Sequence, residues 1–120
     1  MAAVAVGGAG GSLLRYAVAE GVRVLTAWPS WVGTFVANAL GCLAIGFIWA
    51  WAEQHDHEPW VRGLLLTGLL GAFTTFSTFS LEAMQLMQDR AWGTLVAYVG
   101  GSLLVGLCAV ACGLALHARL

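Results

Sequence analysis

The chain has 120 residues, of which 60% are hydrophobic and 9% charged, with a formal net charge of -1 and a mean hydropathy of +0.84. A soluble domain of this length carries about 25% charged residues, and one small core cannot hide this much apolar surface, so lipid is the remaining solvent. All five basic side chains are arginines, and against six acidic ones they form neither a basic patch for nucleic acid nor a disordered acidic tail.

By length this is a single domain, residues 1–120. Residues 1–10 hold no Lys or Arg, so they lack the basic region of a signal peptide and read as the start of the first helix. A bilayer-crossing helix needs about 20 mostly apolar residues. Four stretches qualify, at about 4–25, 31–52, 61–89 and 93–116. The first contains Arg15 and Glu20, while the second and fourth contain no charge. The third is uncharged from Gly63 to Leu81 and then runs into an amphipathic tail ending near Asp89. Trp28, Trp31, Trp49, Trp51, Trp60 and Trp92 all fall near proposed helix ends, where indole rings favour the headgroup level.

Four crossings put Arg62 and Arg119 on one side of the membrane and Arg23 and Arg90 on the other. That balance gives the positive-inside rule nothing to act on, so the chain is expected to insert both ways. Two such chains can pair antiparallel, about a two-fold axis in the membrane plane. Helices in lipid pack through small residues. Three stripes of them are candidate packing faces: Gly7 with Gly11; Gly33, Ala37 and Gly41; Gly93, Ala97 and Gly101.

The third span carries the run Gly71-Ala72-Phe73-Thr74-Thr75-Phe76-Ser77-Thr78-Phe79-Ser80. It is a poor helix centre, because Thr is β-branched and Ser and Thr hydroxyls compete for backbone hydrogen bonds. A break is predicted here at mid-membrane depth. Unwound backbone in a bilayer needs protein or a polar cavity over it, and it exposes carbonyls for a cation and N–H groups for an anion. The competing reading is a continuous helix with its hydroxyls bonded to the preceding turn.

Thr34 and Asn38 in the second span, and Tyr98 and Ser102 in the fourth, are spaced i, i+4 and are candidates for one polar track. Interhelical bonds are the alternative use for each of them. Arg15 sits mid-span on the face of Gly7 and Gly11, where it either bonds carbonyls, lends positive potential to a vestibule, or snorkels. Glu82 follows the predicted break and is a candidate anchor for the second half-helix. Two metal readings are weak. His55-Asp56-His57-Glu58 has no third fixed ligand, and Cys108 with Cys112 has no nearby His or carboxylate. No nucleophile relay and no phosphate-binding P-loop appear, so the chain does not read as an enzyme.

Three blocks resemble the bacterial fluoride channels called Fluc or CrcB. They are Gly7-Gly8-Ala9-Gly10-Gly11-Ser12-Leu13-Leu14-Arg15-Tyr16, Gly33-Thr34-Phe35-Val36-Ala37-Asn38-Ala39-Leu40-Gly41, and the run from Gly71 to Ser80. The likeness spans essentially the whole chain, and the third block is highly specific. The resemblance implies an all-α integral membrane protein of four transmembrane helices, the third broken at mid-membrane, working as an antiparallel dual-topology homodimer with two fluoride pores. It places the protein in the bacterial inner membrane. It implies that Phe76 and Phe79 face the permeating anion, that Asn38 lines the pore, and that Thr34, Tyr98 and Ser102 form the polar track. It further implies that carbonyls of Gly71 and Thr74 hold a central sodium ion (Na+) between subunits. Gly106 stands where some members carry another track serine, which puts the far end of the track in question. Some members instead pair two different, oppositely inserted chains; the equal arginine tally favours the homodimer.

Two other classes compete. A small multidrug exporter is also four-helical and often of dual topology, but looks for a Glu deep in its first helix, where this chain has Arg15 and places Glu20 near the end. A non-transporting membrane subunit would use the glycine stripes and the Thr/Ser/Phe run as interfaces.

Overall fold

The computed structural model describes residues 1–54 and 59–119, and among them every regular element is helical. Residues 55–58, with their weak metal reading, lie outside the described residues. Two long helices open the chain, α1 (Ala2–Thr26) and α2 (Ser30–Gln54). The third span starts as α3 (Pro59–Arg62), continues as a π-helix (Gly63–Leu70), and returns to α geometry in α4 (Gly71–Phe73). Helix α5 (Phe76–Gln88) completes it, and α6 (Trp92–His117) closes the fold. Four segments are long and apolar enough to cross a membrane: α1, α2, the stretch Pro59–Gln88, and α6. At 1.5 Å per residue, a 25-residue helix is about 38 Å long, enough to cross a hydrocarbon core of about 30 Å.

Turns of three residues, 27–29 and 89–91, force antiparallel neighbours across α1–α2 and α5–α6. Both need a left-handed residue at or just after the helix end, and these are Ala27 (φ 53°) and Arg90 (φ 56°). The main packing pairs are α2 with α6 and α1 with the third span. Apolar side chains gain little by leaving lipid for each other, so close backbone approach and van der Waals contact hold such pairs. Side chains at two glycines would prevent it. A Cβ at Gly46 would strike the Val110 carbonyl oxygen, and one at Gly113 would strike that of Leu43. Gly113→Val is therefore expected to cost about 3 kcal/mol through overpacking, measurable as a lowered melting temperature in detergent. Wild-type stability would show that the two helices are not held this closely.

The small-residue stripes divide. Gly7 and Gly11 lie against the backbone of Leu64 and Leu69, and Gly33 and Gly41 are buried. Of the third stripe, Gly93 and Ala97 are exposed in this chain, with open space at the Gly93 Cβ position, and Gly101 lies against the Phe35 ring of α2. The closest backbone approach of α6 to α2 is at Gly113, with Gly106 against Cys42, while the Tyr98 ring and Gly101 meet Trp31 and Phe35 of α2 further toward the start of α6. The π-helix was not foreseen. Gly68 lies with its Cβ direction 2.8 Å from the Val4 carbonyl oxygen, so the third span widens where α1 presses closest.

At Thr74 and Thr75 the backbone is extended, with φ/ψ of -82°/154° and -145°/124°. Hydroxyl back-bonding, the competing expectation, is present on both sides of this pair. Thr74 Oγ1 donates to the Leu70 carbonyl at 3.0 Å and Ser80 Oγ to the Phe76 carbonyl at 2.9 Å.

Candidate ion-conducting site

The extended pair is held from α2. Thr75 N–H donates to Asn38 Oδ1 at 2.8 Å, and Asn38 Nδ2 donates to the Thr75 carbonyl at 3.1 Å. One amide thus satisfies both backbone groups of a buried residue that has left the helical ladder. Thr75 Oγ1 then caps α5 by accepting from Thr78 N–H at 3.3 Å. This has two consequences for charge. The Thr78 amide is taken, so the start of α5 offers an anion less than a bare helix end does. Thr75 N–H and Thr78 N–H, the usual helical donors to Gly71 O and Thr74 O, are both engaged elsewhere. Those two carbonyls are left without their helical partners, which is the donor chemistry a hard cation takes.

A cavity of about 370 Å3 opens beside this pair. Its walls include Asn38, Gly71, Thr74, Phe76, Phe79 and Ser102, six of the residues singled out from sequence. The Phe76 and Phe79 ring centroids lie 5.8 Å apart, and Phe79 stacks on Tyr98 at 5.0 Å. The Ser102 hydroxyl is buried with no hydrogen-bond partner among the described residues.

Thr34 and Tyr98 lie next to this cavity rather than in its wall. Both donate to one carboxylate: Thr34 Oγ1 to Glu82 Oε1 at 3.1 Å, and Tyr98 OH to Glu82 Oε2 at 2.8 Å. All three residues are buried. A buried carboxylate is costly unless it accepts hydrogen bonds, and these two hydroxyls supply them. Glu82 therefore ties α5 to α2 and α6, a wider role than anchoring its own half-helix. Arg15 lines a separate cavity of about 240 Å3 with Ser12, Thr34, Thr75 and Thr78, and has no ion-pair partner among the described residues.

Sequence reasoning passed over Thr75 and Trp31. Thr75 lies in the run from Gly71 to Ser80 with no sequence signal separating it from its neighbours. Trp31 appeared as one more interfacial tryptophan, yet its ring packs on Tyr98 at 5.3 Å. No cluster of three metal-ligating side chains occurs among the described residues, and Cys108 and Cys112 are exposed free thiols.

Four membrane-length helices, with an amide- and hydroxyl-tipped cavity lined by the second, third and fourth spans, define a multi-pass membrane protein. Residues 2–114 match the family described as CrcB-like protein, Camphor Resistance (CrcB), and the chain belongs to that family. It is 49% identical over 117 residues to a Stutzerimonas stutzeri protein named fluoride-specific ion channel FluC, covering 95% of this chain and 93% of that one. A protein of the same name from Nitratidesulfovibrio vulgaris is 45% identical over 108 residues, covering 89% and 87%. Another, from Chloroflexus aurantiacus, is 44% identical over 118 residues, covering 95% and 91%.

Proposed function

We propose that this chain is a fluoride-selective channel of the bacterial inner membrane that exports cytoplasmic fluoride by passive electrodiffusion and so protects the cell. The observation that carries this reading is the cavity beside Thr74 and Thr75, where Asn38, Ser102, Phe76 and Phe79 meet. The names of its relatives select fluoride over other anions. Fluoride is small and strongly hydrated, so its dehydration must be offset by donors. The second N–H of Asn38 and the Ser102 hydroxyl, which has no partner among the described residues, supply them. Phenyl rings present a positive edge to an anion. Several weak sites in sequence let the ion leave again. At Thr34 and Tyr98 the ion competes with Glu82 for the same protons, so that part of the track is entered by exchange rather than by simple filling.

The driving force is the membrane potential, worth about 2.3 kcal/mol per charge per 100 mV. No coupled proton is required. The multidrug-exporter alternative is disfavoured because Glu20 is taken by an ion pair, with Arg23 Nε donating to Glu20 Oε2 at 2.9 Å, near the end of α1.

The working unit in this reading is an antiparallel homodimer. Support comes from the arginine balance and from the open face around the extended pair, where Phe76 is 80% exposed. Thr74 and Thr75 then form the mid-membrane break. The carbonyls of Gly71 and Thr74, whose helical donors are engaged elsewhere, fit a sodium ion shared with a second copy, which would offset carbonyl repulsion and add positive potential. Fixing insertion with added arginines at one helix end is expected to abolish flux of a single variant and to restore it when oppositely fixed variants are co-expressed. Full flux from one fixed orientation would refute the antiparallel pairing.

Fluoride release from liposomes holding the purified protein, with valinomycin to dissipate charge and a chloride control, tests the function. Fast fluoride release with negligible chloride release is expected. Silence from folded protein would favour the non-transporting reading.

A further inference from the structure

The polar face of α6 runs Tyr98, Ser102, Gly106, one turn apart. Tyr98 reaches Glu82, and Ser102 has its hydroxyl buried and unpartnered among the described residues. At Gly106 the helix offers no side chain. The space there belongs to α2: a Cβ built at Gly106 would lie 3.5 Å from Cys42 Sγ. Cys42 is a free, half-buried thiol, one turn beyond Asn38 on α2, and it lines the same cavity of about 370 Å3 as Asn38 and Ser102.

We propose that Cys42 is a pore-lining residue whose S–H supplies the next hydrogen-bond donor to the permeating anion, opposite Gly106. This rests on reading the cavity as the fluoride path. Ser102 from α6 and Cys42 from α2 then continue the donor line from one helix to the other at the level where α6 has only backbone. A thiol is a weak donor, which suits a position that the ion must leave as readily as it enters. The bland alternative is that Cys42 fills space as a small apolar residue.

Fluoride efflux from liposomes separates the two. Cys42→Ala is expected to slow efflux about five-fold, the effect of one lost net hydrogen bond. Cys42→Ser is expected to conduct within about two-fold of wild type, because its hydroxyl is at least as good a donor. The deciding variant is Cys42→Ala combined with Gly106→Ser, which returns a donor from the opposite helix; the added Cβ is in ordinary contact range, so the site accommodates it. Restored efflux with Gly106→Ser but not with Gly106→Ala in the same Cys42→Ala background supports the donor role, since both side chains refill the space next to residue 42 and only serine returns a donor. Wild-type efflux in Cys42→Ala, or no rescue by Gly106→Ser, overturns the proposal. If Cys42→Ala fails to fold, a ten-fold loss in Cys42→Ser overturns it instead. Wild-type protein that releases no fluoride overturns the fluoride reading and this proposal with it, whereas full wild-type release with no Cys42 effect overturns this proposal alone.

Discussion

Asn38→Asp is expected to lower fluoride efflux by at least about 100-fold, while the protein still purifies as a single species. The substitution keeps the acceptor for Thr75 N–H but removes the donor to the Thr75 carbonyl, now 3.1 Å from Asn38 Nδ2. A buried carbonyl left unsatisfied costs about 1–3 kcal/mol, which at the upper end shifts the population of the conducting arrangement about 100-fold. A carboxylate in place of the amide also sets a negative charge in the wall that an anion must pass, adding repulsion to the lost donor. Efflux within about two-fold of wild type would show that Asn38 neither holds the extended pair nor meets the ion.

Phe76→Ile is expected to lower efflux about ten-fold or more, equivalent to about 1.4 kcal/mol on the permeation barrier, with no loss of stability of the isolated chain. The ring is 80% exposed in a single chain, so little intrachain packing is lost. What is lost is an aromatic ring in the cavity wall, whose edge would meet the anion on the proposed reading. Phe79→Ile provides the contrast. Its ring also stacks on Tyr98 at 5.0 Å, so flux and melting temperature are expected to fall together. A Phe76→Ile channel with full flux would remove Phe76 from the path, and full flux in the Asn38→Asp, Phe76→Ile double variant would sink the whole site assignment.

Much of this architecture is legible in one sequence because lipid imposes a simple rule: every span must satisfy its own backbone. Long uncharged runs therefore mark α2 and α6 almost to the residue, and flanking charges and tryptophans mark where they end. The same pattern says that the breaks after the first and third spans are short, but not that they are three-residue turns with left-handed Ala27 and Arg90. The Gly71–Ser80 run stood out because glycine and hydroxyl residues weaken a helix that has no water to fall back on. Less legible was what tertiary contact decides. Nothing local in Gly63–Leu70 announces a π-helix; it arises where α1 crosses closely at Gly7 and Gly11. The exposed Gly93 and Ala97 have the same spacing of four as the buried Gly33, Ala37 and Gly41 of α2, and spacing does not say which stripe a neighbour will cover.

The polar residues show the same limit. Helical spacing put Thr34 with Asn38 and Tyr98 with Ser102 on common faces, as i, i+4 geometry requires. It could not divide them between partners. In the fold Thr34 and Tyr98 converge on Glu82, whereas Asn38 and Ser102 share the cavity. That division depends on which turn of α5 lies between α2 and α6, a fact of packing rather than of periodicity. It also explains how a buried carboxylate sits beside an anion path: its charge is met by two hydroxyl donors before any ion arrives.

The most direct test of selective, passive conduction is the reversal potential of fluoride currents through the purified protein in planar bilayers, under opposed fluoride and chloride gradients. The account predicts reversal at the fluoride equilibrium potential, unmoved when a proton gradient is imposed. Reversal that tracks chloride would contradict the selectivity, and reversal that moves with the proton gradient would replace electrodiffusion with coupled transport.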